Sequence, residues 1–166
     1  MTTYPTSMSA NVRWLGMTTV AILVVALVIL FGRDAGRSVG PPLGSALVMI
    51  LLVTYLVSTR EYEIGEGKLV VRKVMGSTSF ELRGATLGPD ALAFKGMTRV
   101  FGNGGFFAFD GLFYSSRLGF VRSYARSREH GVVLVLAGGR KLVLSPDDPD
   151  AFVTAALAQG AVLAAP

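Results

Sequence analysis

Apolar positions fill two stretches near the start of the chain and then thin into an alternation. From Trp14 to Gly32, WLGMTTVAILVVALVILFG, no residue is charged, and none is charged again from Ser38 to Thr59, whose most apolar part is Leu43–Val57. As a helix rising about 1.5 Å per residue, the first run reaches close to the roughly 30 Å of a bilayer's hydrocarbon core. Pro41 and Pro42 stand at the start of the second, where the first turn of a helix tolerates proline. The pattern predicts a membrane-crossing helical hairpin over 14–59, with helices at 14–32 and about 40–59, behind an N-terminal tail of residues 1–13. Trp14 and Tyr55 sit near the ends of these runs, where aromatic rings favour the membrane interface.

The first run is longer than the apolar core of a cleaved signal peptide, and Phe31-Gly32-Arg33-Asp34 follows it in place of a small-x-small cleavage site, so the helix is expected to be retained. Nor could the rest of the chain bury two such helices as a soluble core.

From Arg60 onward the period is two. Ser79-Phe80-Glu81-Leu82-Arg83 places Phe80 and Leu82 on one side and the charges on the other, as a half-buried strand does. Tyr62–Ile64 and Lys68–Val74 flank Gly65-Glu66-Gly67, and Val132–Leu136 and Lys141–Leu144 flank Ala137-Gly138-Gly139-Arg140. Both are hairpin signals. Ala91–Phe94, Leu112–Ser115 and Gly119–Ala125 are further strand candidates. Asp148 then stands as a helix N-cap before Pro149, with Asp150 in the first turn and Phe152, Val153, Ala156, Leu157 and Gly160 at helical spacing, predicting an amphipathic helix over about 149–163. Six or seven short strands followed by one helix make an α+β chain: a small β-barrel or sandwich over 60–166, closed by the C-terminal helix.

Residues 62–157 resemble the bacterial pleckstrin-homology-like (PH-like) family. The resemblance is carried by an opening Tyr62-x-Ile64-x-x-Gly67-x-Leu69, by a glycine and aromatic middle (Arg99 to Gly105, then Asp110-Gly111-Leu112-Phe113-Tyr114), and by a closing Leu144-Ser-Pro-Asp-Asp-Pro-Asp-Ala-Phe152. It implies a membrane-anchored member with a PH-type barrel and a closing helix, and it names no catalytic residue. Lys68, Arg72 and Lys73 are spread along a strand and do not form the lysine-arginine cluster of inositide-binding PH domains.

Composition supports the membrane reading. Charged residues are 16% of the chain and apolar ones 51%, against roughly a quarter charged in a typical soluble domain. The net charge is +5. Arg13, Arg60, Lys68, Arg72, Lys73 and the terminal amine outweigh Arg33 and Arg37 of the connecting segment, so the positive-inside rule puts both termini in the cytoplasm and the protein in the inner (plasma) membrane as a multi-pass chain. Without cysteine, disulfides, thiolate catalysis and cysteine-held metal are excluded.

Catalytic chemistry is sparse. His130 is the sole histidine and precedes a strand as a turn residue would. Asp147, Asp148 and Asp150 are explained by helix capping without a cation. Gly102-Asn103-Gly104-Gly105 lacks the Gly-Lys-Ser/Thr of a phosphate-binding loop. No catalytic residue, cofactor or metal site is assigned. Phe101, Phe106, Phe107, Phe109, Phe113 and Tyr114 exceed what a turn needs, and are expected to fill the barrel while some meet headgroups or a partner.

The candidate binding residues for lipid or partner are Arg117, Arg122, Tyr124, Arg126 and Arg128. Extended, Gly119–Arg128 projects Arg122, Tyr124, Arg126 and Arg128 to one side and Val121, Ser123 and Ala125 to the other. That side either meets anionic headgroups, at about 1 kcal/mol per charge, or is an ordinary solvated strand face. The expected function is a non-enzymatic, membrane-anchored PH-like module docking on a membrane protein partner or on the lipid bilayer. The alternative is an accessory subunit of a transport or envelope-homeostasis assembly acting through the hairpin, where Gly16, Gly44, Ser45 and Ala46 offer small packing surfaces. No nucleic-acid motif is present.

Overall fold

A computed structural model describes residues 1–32, 40–105 and 107–164. In chain order the elements are β1 (Thr2–Pro5), α1 (Ala10–Gly32), α2 (Gly40–Leu56), β2 (Thr59–Gly65), β3 (Lys68–Lys73), β4 (Ser77–Glu81), β5 (Thr86–Pro89), β6 (Met97–Gly102), β7 (Phe109–Ser115), β8 (Gly119–Ala125), β9 (Val132–Val135), β10 (Lys141–Leu144), α3 (Pro149–Ala158) and β11 (Val162–Leu163).

The apolar residues of α1 are not confined to one side, unlike those of a surface helix with one greasy stripe. Its stretch Val12–Ile29 has a mean hydropathy of 2.2 and only 11% of it is buried, which makes it long and apolar enough to cross a membrane. The shorter α2 packs beside it. It ends at Leu56, before the expected 59, because Thr59 already pairs with Lys73 in β2–β3. The expected turn-back through Arg33 and Arg37 lies outside the described residues.

The strands form two sheets, ordered β1-β2-β3-β4 and β11-β5-β9-β10-β8-β7-β6. Glu66 and Gly67, both at positive φ, make the tight β2–β3 turn, the geometry whose twist suits a two-residue hairpin. The larger sheet is antiparallel except where β10 lies parallel to β8 and β11 parallel to β5. One core sits between the sheets and under α3: Tyr62, Leu69, Val71 and Leu82 face Leu87, Leu134, Leu142 and Leu144, with Phe152 and Ala156 closing the end. A second core covers the opposite side of the larger sheet, where Phe113, Val121, Ala125 and Val143 meet Ala93, Phe94 and Val12 of α1. The α1 helix is thus continuous from this second core into its apolar stretch.

Several expectations change. The barrel is not closed: after β4 the chain turns at Leu82–Ala85, with Gly84 at positive φ, and β5 pairs with β9 instead of β4. Ala91–Phe94 is a turn and not a strand, held by the Leu92 N–H on the Asp90 carboxylate at 2.9 Å, and it drives Ala93 and Phe94 into the second core. The C-terminal helix stops at Ala158 and not near 163, because Gly160 at φ 94° breaks it and Val162–Leu163 joins β5. Residues 1–13 are not simply a tail. Thr2–Pro5 adds an edge strand to β2, a position where a sheet accepts proline, and helix α1 begins at Ala10. Asp147 does not cap the helix: its carboxylate accepts from the Ser7 N–H at 2.6 Å and the Ser7 hydroxyl at 2.7 Å, while Asp148 is the N-cap, accepting from Ala151 N–H at 3.0 Å.

Candidate docking surfaces

The five residues singled out along and beside β8 fall into three environments. Cross-strand partners share a face, so Arg122 lies beside Leu112 and Leu142, and Tyr124 beside Asp110 and Leu144, on the side that looks toward the smaller sheet. Tyr124 is 3% exposed and belongs to the main core. Its ring meets Phe80 at 5.7 Å, with the Arg122 guanidinium 5.7 Å and the Lys73 ammonium 5.5 Å from its centroid. Burial pushes its hydroxyl above the usual tyrosine range, against the pull of Arg122. On this side Arg122 stays exposed, whereas the side with Val121, Ser123 and Ala125 is buried, because the 91–96 turn and the foot of α1 cover it.

Arg126 and Arg128 follow the end of β8, where the chain bends toward α1. Arg126 lines a groove with Arg13, Gly16 and Phe107, and Arg128 lines a second hollow with Ser9, Val12 and Leu15. The Arg128 guanidinium stacks 4.4 Å from the Phe109 ring centroid, and burial lowers its pKa. Arg117 stands apart, ion-paired with Asp90. Among the described residues no three His, Cys, Asp or Glu side chains converge as a metal site requires.

Two features escape a reading along the chain. One is an uncovered part of the larger sheet. The smaller sheet and α3 roof β5, β9 and β10, but toward β6 the same side lies open, and Phe101, Leu112, Tyr114 and Phe120 are all exposed there, Phe101 to 79% and Phe120 to 63%. Register places them together: Phe101 opposite Leu112, and Tyr114 opposite Phe120 with the rings edge-on at 5.2 Å. Exposed apolar side chains clustered in this way mark contact surfaces more than scattered ones do. β6 is also the sheet's edge, so its outer backbone groups are available to another strand. Alternation within Leu112–Ser115 contained half of this signal, but the pairing with Phe101 is non-local.

The second is Asp110, a carboxylate 8% exposed, which accepts from the Thr59 N–H and from the Thr59 hydroxyl at 2.8 Å. It fastens the start of β2, three residues after α2, to β7. Beside it Met75 N–H donates to Leu56 O at 2.8 Å, Val74 N–H to Ser58 O at 3.1 Å, and Tyr55 meets Phe107 edge-on at 5.5 Å. The end of α2 is therefore tied to both sheets. Phe106 lies outside the described residues.

The open surface depends on the β6–β7 pairing, where Gly102 faces Gly111. A Cβ on Gly111, at φ 144°, would stand 2.2 Å from Phe101 O. Gly111→Ala is expected to detach β6, lowering stability by about 1–3 kcal/mol and opening residues 97–105 to limited proteolysis. Unchanged melting and unchanged cleavage would mean that the strands absorb the methyl.

The profile of one family, described as Bacterial PH domain, matches residues 60–159. No curated protein and no solved structure matches the chain.

Proposed function

This chain belongs to the bacterial PH domain family, and from that premise we propose that it is a membrane-anchored docking module whose uncovered sheet surface receives a segment of a protein partner. PH-like domains are in general binding modules and not enzymes. The observation that carries the reading is the apolar patch of Phe101, Leu112, Tyr114 and Phe120 beside the free edge of β6. An extended segment added to that edge would gain backbone hydrogen bonds and lay alternate side chains on the patch. Arg122, at the patch border, favours an acidic residue among them.

The anchor is α1, with α2 as its antiparallel companion, and both termini on the cytoplasmic side. The foot of α1 carries Arg13 and, packed against it from the domain, Arg126 and Arg128. Their place beside the helix suits anionic headgroups of the cytoplasmic leaflet. Arg117 and Tyr124 contribute indirectly, one through its ion pair with Asp90 and the other as the floor beneath Arg122.

A photo-crosslinking residue at position 120, in native membranes, should capture one discrete protein, and Leu112→Glu should abolish capture; the same probe at Thr154, exposed on α3, should capture nothing. Equal labelling at both positions removes the docking reading. For the anchor, the full chain should resist alkaline carbonate, and reporters after residue 36 and at the C-terminus should report opposite sides, the C-terminal one cytoplasmic. A periplasmic C-terminus reverses the orientation, and release by carbonate removes the anchor.

A further inference from the structure

A groove of about 530 Å³ runs up the foot of α1, within the roughly 300–1,000 Å³ of small-ligand clefts. Arg13, Gly16, Met17, Val20 and Ala21 form one wall. Their spacing is i, i+3, i+4, i+7, i+8, a single stripe of the helix, charged at its base and apolar for the next two turns, about 12 Å of rise. Met8, Phe107 and Arg126 supply the opposite side. Gly16, buried and without a side chain, leaves the depression.

The two polar residues of the groove are both cationic. Arg126 is held through its backbone N–H, which donates to Ser145 Oγ at 2.9 Å, yet its Nε is buried with no hydrogen-bond partner. A buried guanidinium nitrogen without an acceptor is costly, and a ligand oxyanion would satisfy it. Among the described residues neither Arg13 nor Arg126 has a carboxylate at ion-pair distance. Guanidinium groups suit phosphate because their planar donors match its oxygens, and an apolar channel continuing along a membrane helix suits an acyl chain.

We infer that this groove is a binding site for one anionic phospholipid, its phosphate held by Arg13 and Arg126 and an acyl chain lying along Gly16, Val20 and Ala21 against Phe107. The inference rests on the anchoring of α1 and is separate from the partner surface around Phe120.

The test is native mass spectrometry of the full chain released from vesicles of phosphatidylcholine containing phosphatidylglycerol. Wild type should keep one phosphatidylglycerol in preference to phosphatidylcholine. That preference should fall roughly fivefold with Arg126→Gln and by a similar factor with Arg13→Gln. Gly16→Leu, which fills the depression and favours the helix, should displace the lipid with both arginines intact, while Arg83→Gln, at an exposed position outside the groove, should change nothing. Because Arg126 is partly buried, the exposed Arg13 variant keeps the test valid if Arg126→Gln melts early. Absence of a preferred adduct, or an adduct indifferent to Arg13→Gln and Gly16→Leu, overturns the inference, as does displacement by inorganic phosphate alone. Flotation with the same vesicles separates the two readings: a chain that floats without a bound phosphatidylglycerol loses only the groove, and one that does not float loses the anchor.

Discussion

Tyr62→Ala is expected to lower the stability of the domain by roughly 3–5 kcal/mol, and Tyr62→Phe by roughly 1–3 kcal/mol. Tyr62 is fully buried in the core between the sheets. Its ring meets Phe152 of α3 edge-on at 5.7 Å, and Tyr4 of β1 meets the same Phe152 at 5.5 Å. Truncation would therefore loosen the smaller sheet, α3 and the N-terminal strand together. The hydroxyl does a separate job. It donates to Tyr124 O and accepts the Ser145 N–H at 3.0 Å, joining β2 to the end of β8 and to the segment before α3. Burial holds it well above the usual tyrosine range, so it stays protonated at any working pH. Phenylalanine keeps the packing but strands one backbone donor and one carbonyl in the interior. Thermal unfolding of the full chain in mild detergent measures both variants. Equal midpoints for the wild-type chain and Tyr62→Phe would show that those backbone groups find other partners.

Local chemistry was legible where it decided the outcome locally. The Glu66-Gly67 turn, the Gly139 turn and the Asp148-Pro149 helix start each follow from residues within a few positions of one another. Pairings between distant segments were not. β1 and β11 are short, and nothing within Thr2–Pro5 or Val162–Leu163 announces that β2 and β5 complete them. The β8 strand shows the limit most clearly. Its alternation separates Arg122 and Tyr124 from Val121, Ser123 and Ala125, but it cannot say that the Val121 side is covered throughout and the other side only at Tyr124. The Val121 side is covered by a turn near residue 93 and by Val12, and Tyr124 is covered by Phe80. An arginine at a strand position thus came to border a core, while Arg126 and Arg128, past the strand end, came to face a helix from the opposite end of the sequence. The same reasoning explains Asp110. An aspartate ahead of Gly-Leu-Phe-Tyr reads as a turn or a solvent-facing strand residue until Thr59 is brought against it.

Asp110→Asn is expected to abolish a pH dependence of stability that the wild-type chain shows between about pH 4 and pH 6. Burial pushes the Asp110 carboxyl from 3.8 up to about 6, against the opposing pull of the Thr59 hydrogen bonds and of Lys73. Between those values the folded chain holds a proton that the unfolded chain releases, so stability falls as pH rises through the window and is level above it. A displacement of that size corresponds to roughly 3 kcal/mol between the two limits. Other carboxylates titrate over the same range, so the quantity to follow is the wild-type midpoint minus the variant midpoint from pH 4 to 7.5. Asparagine can keep the tie, accepting the Thr59 N–H through its oxygen and donating to the Thr59 hydroxyl through its amide. The difference should therefore favour wild type most at pH 4 and shrink or reverse by pH 7. A difference that is constant across the range would mean that Asp110 stays ionised in the folded chain. Asp110→Ala separates charge from fastening. It leaves the buried Thr59 N–H without its acceptor, which costs about 1–3 kcal/mol at every pH, and it frees the joint between α2 and β2. Faster hydrogen exchange at residues 57–61 in the alanine variant, with little change in the asparagine one, would identify the Asp110–Thr59 tie as what couples the helices to the sheets.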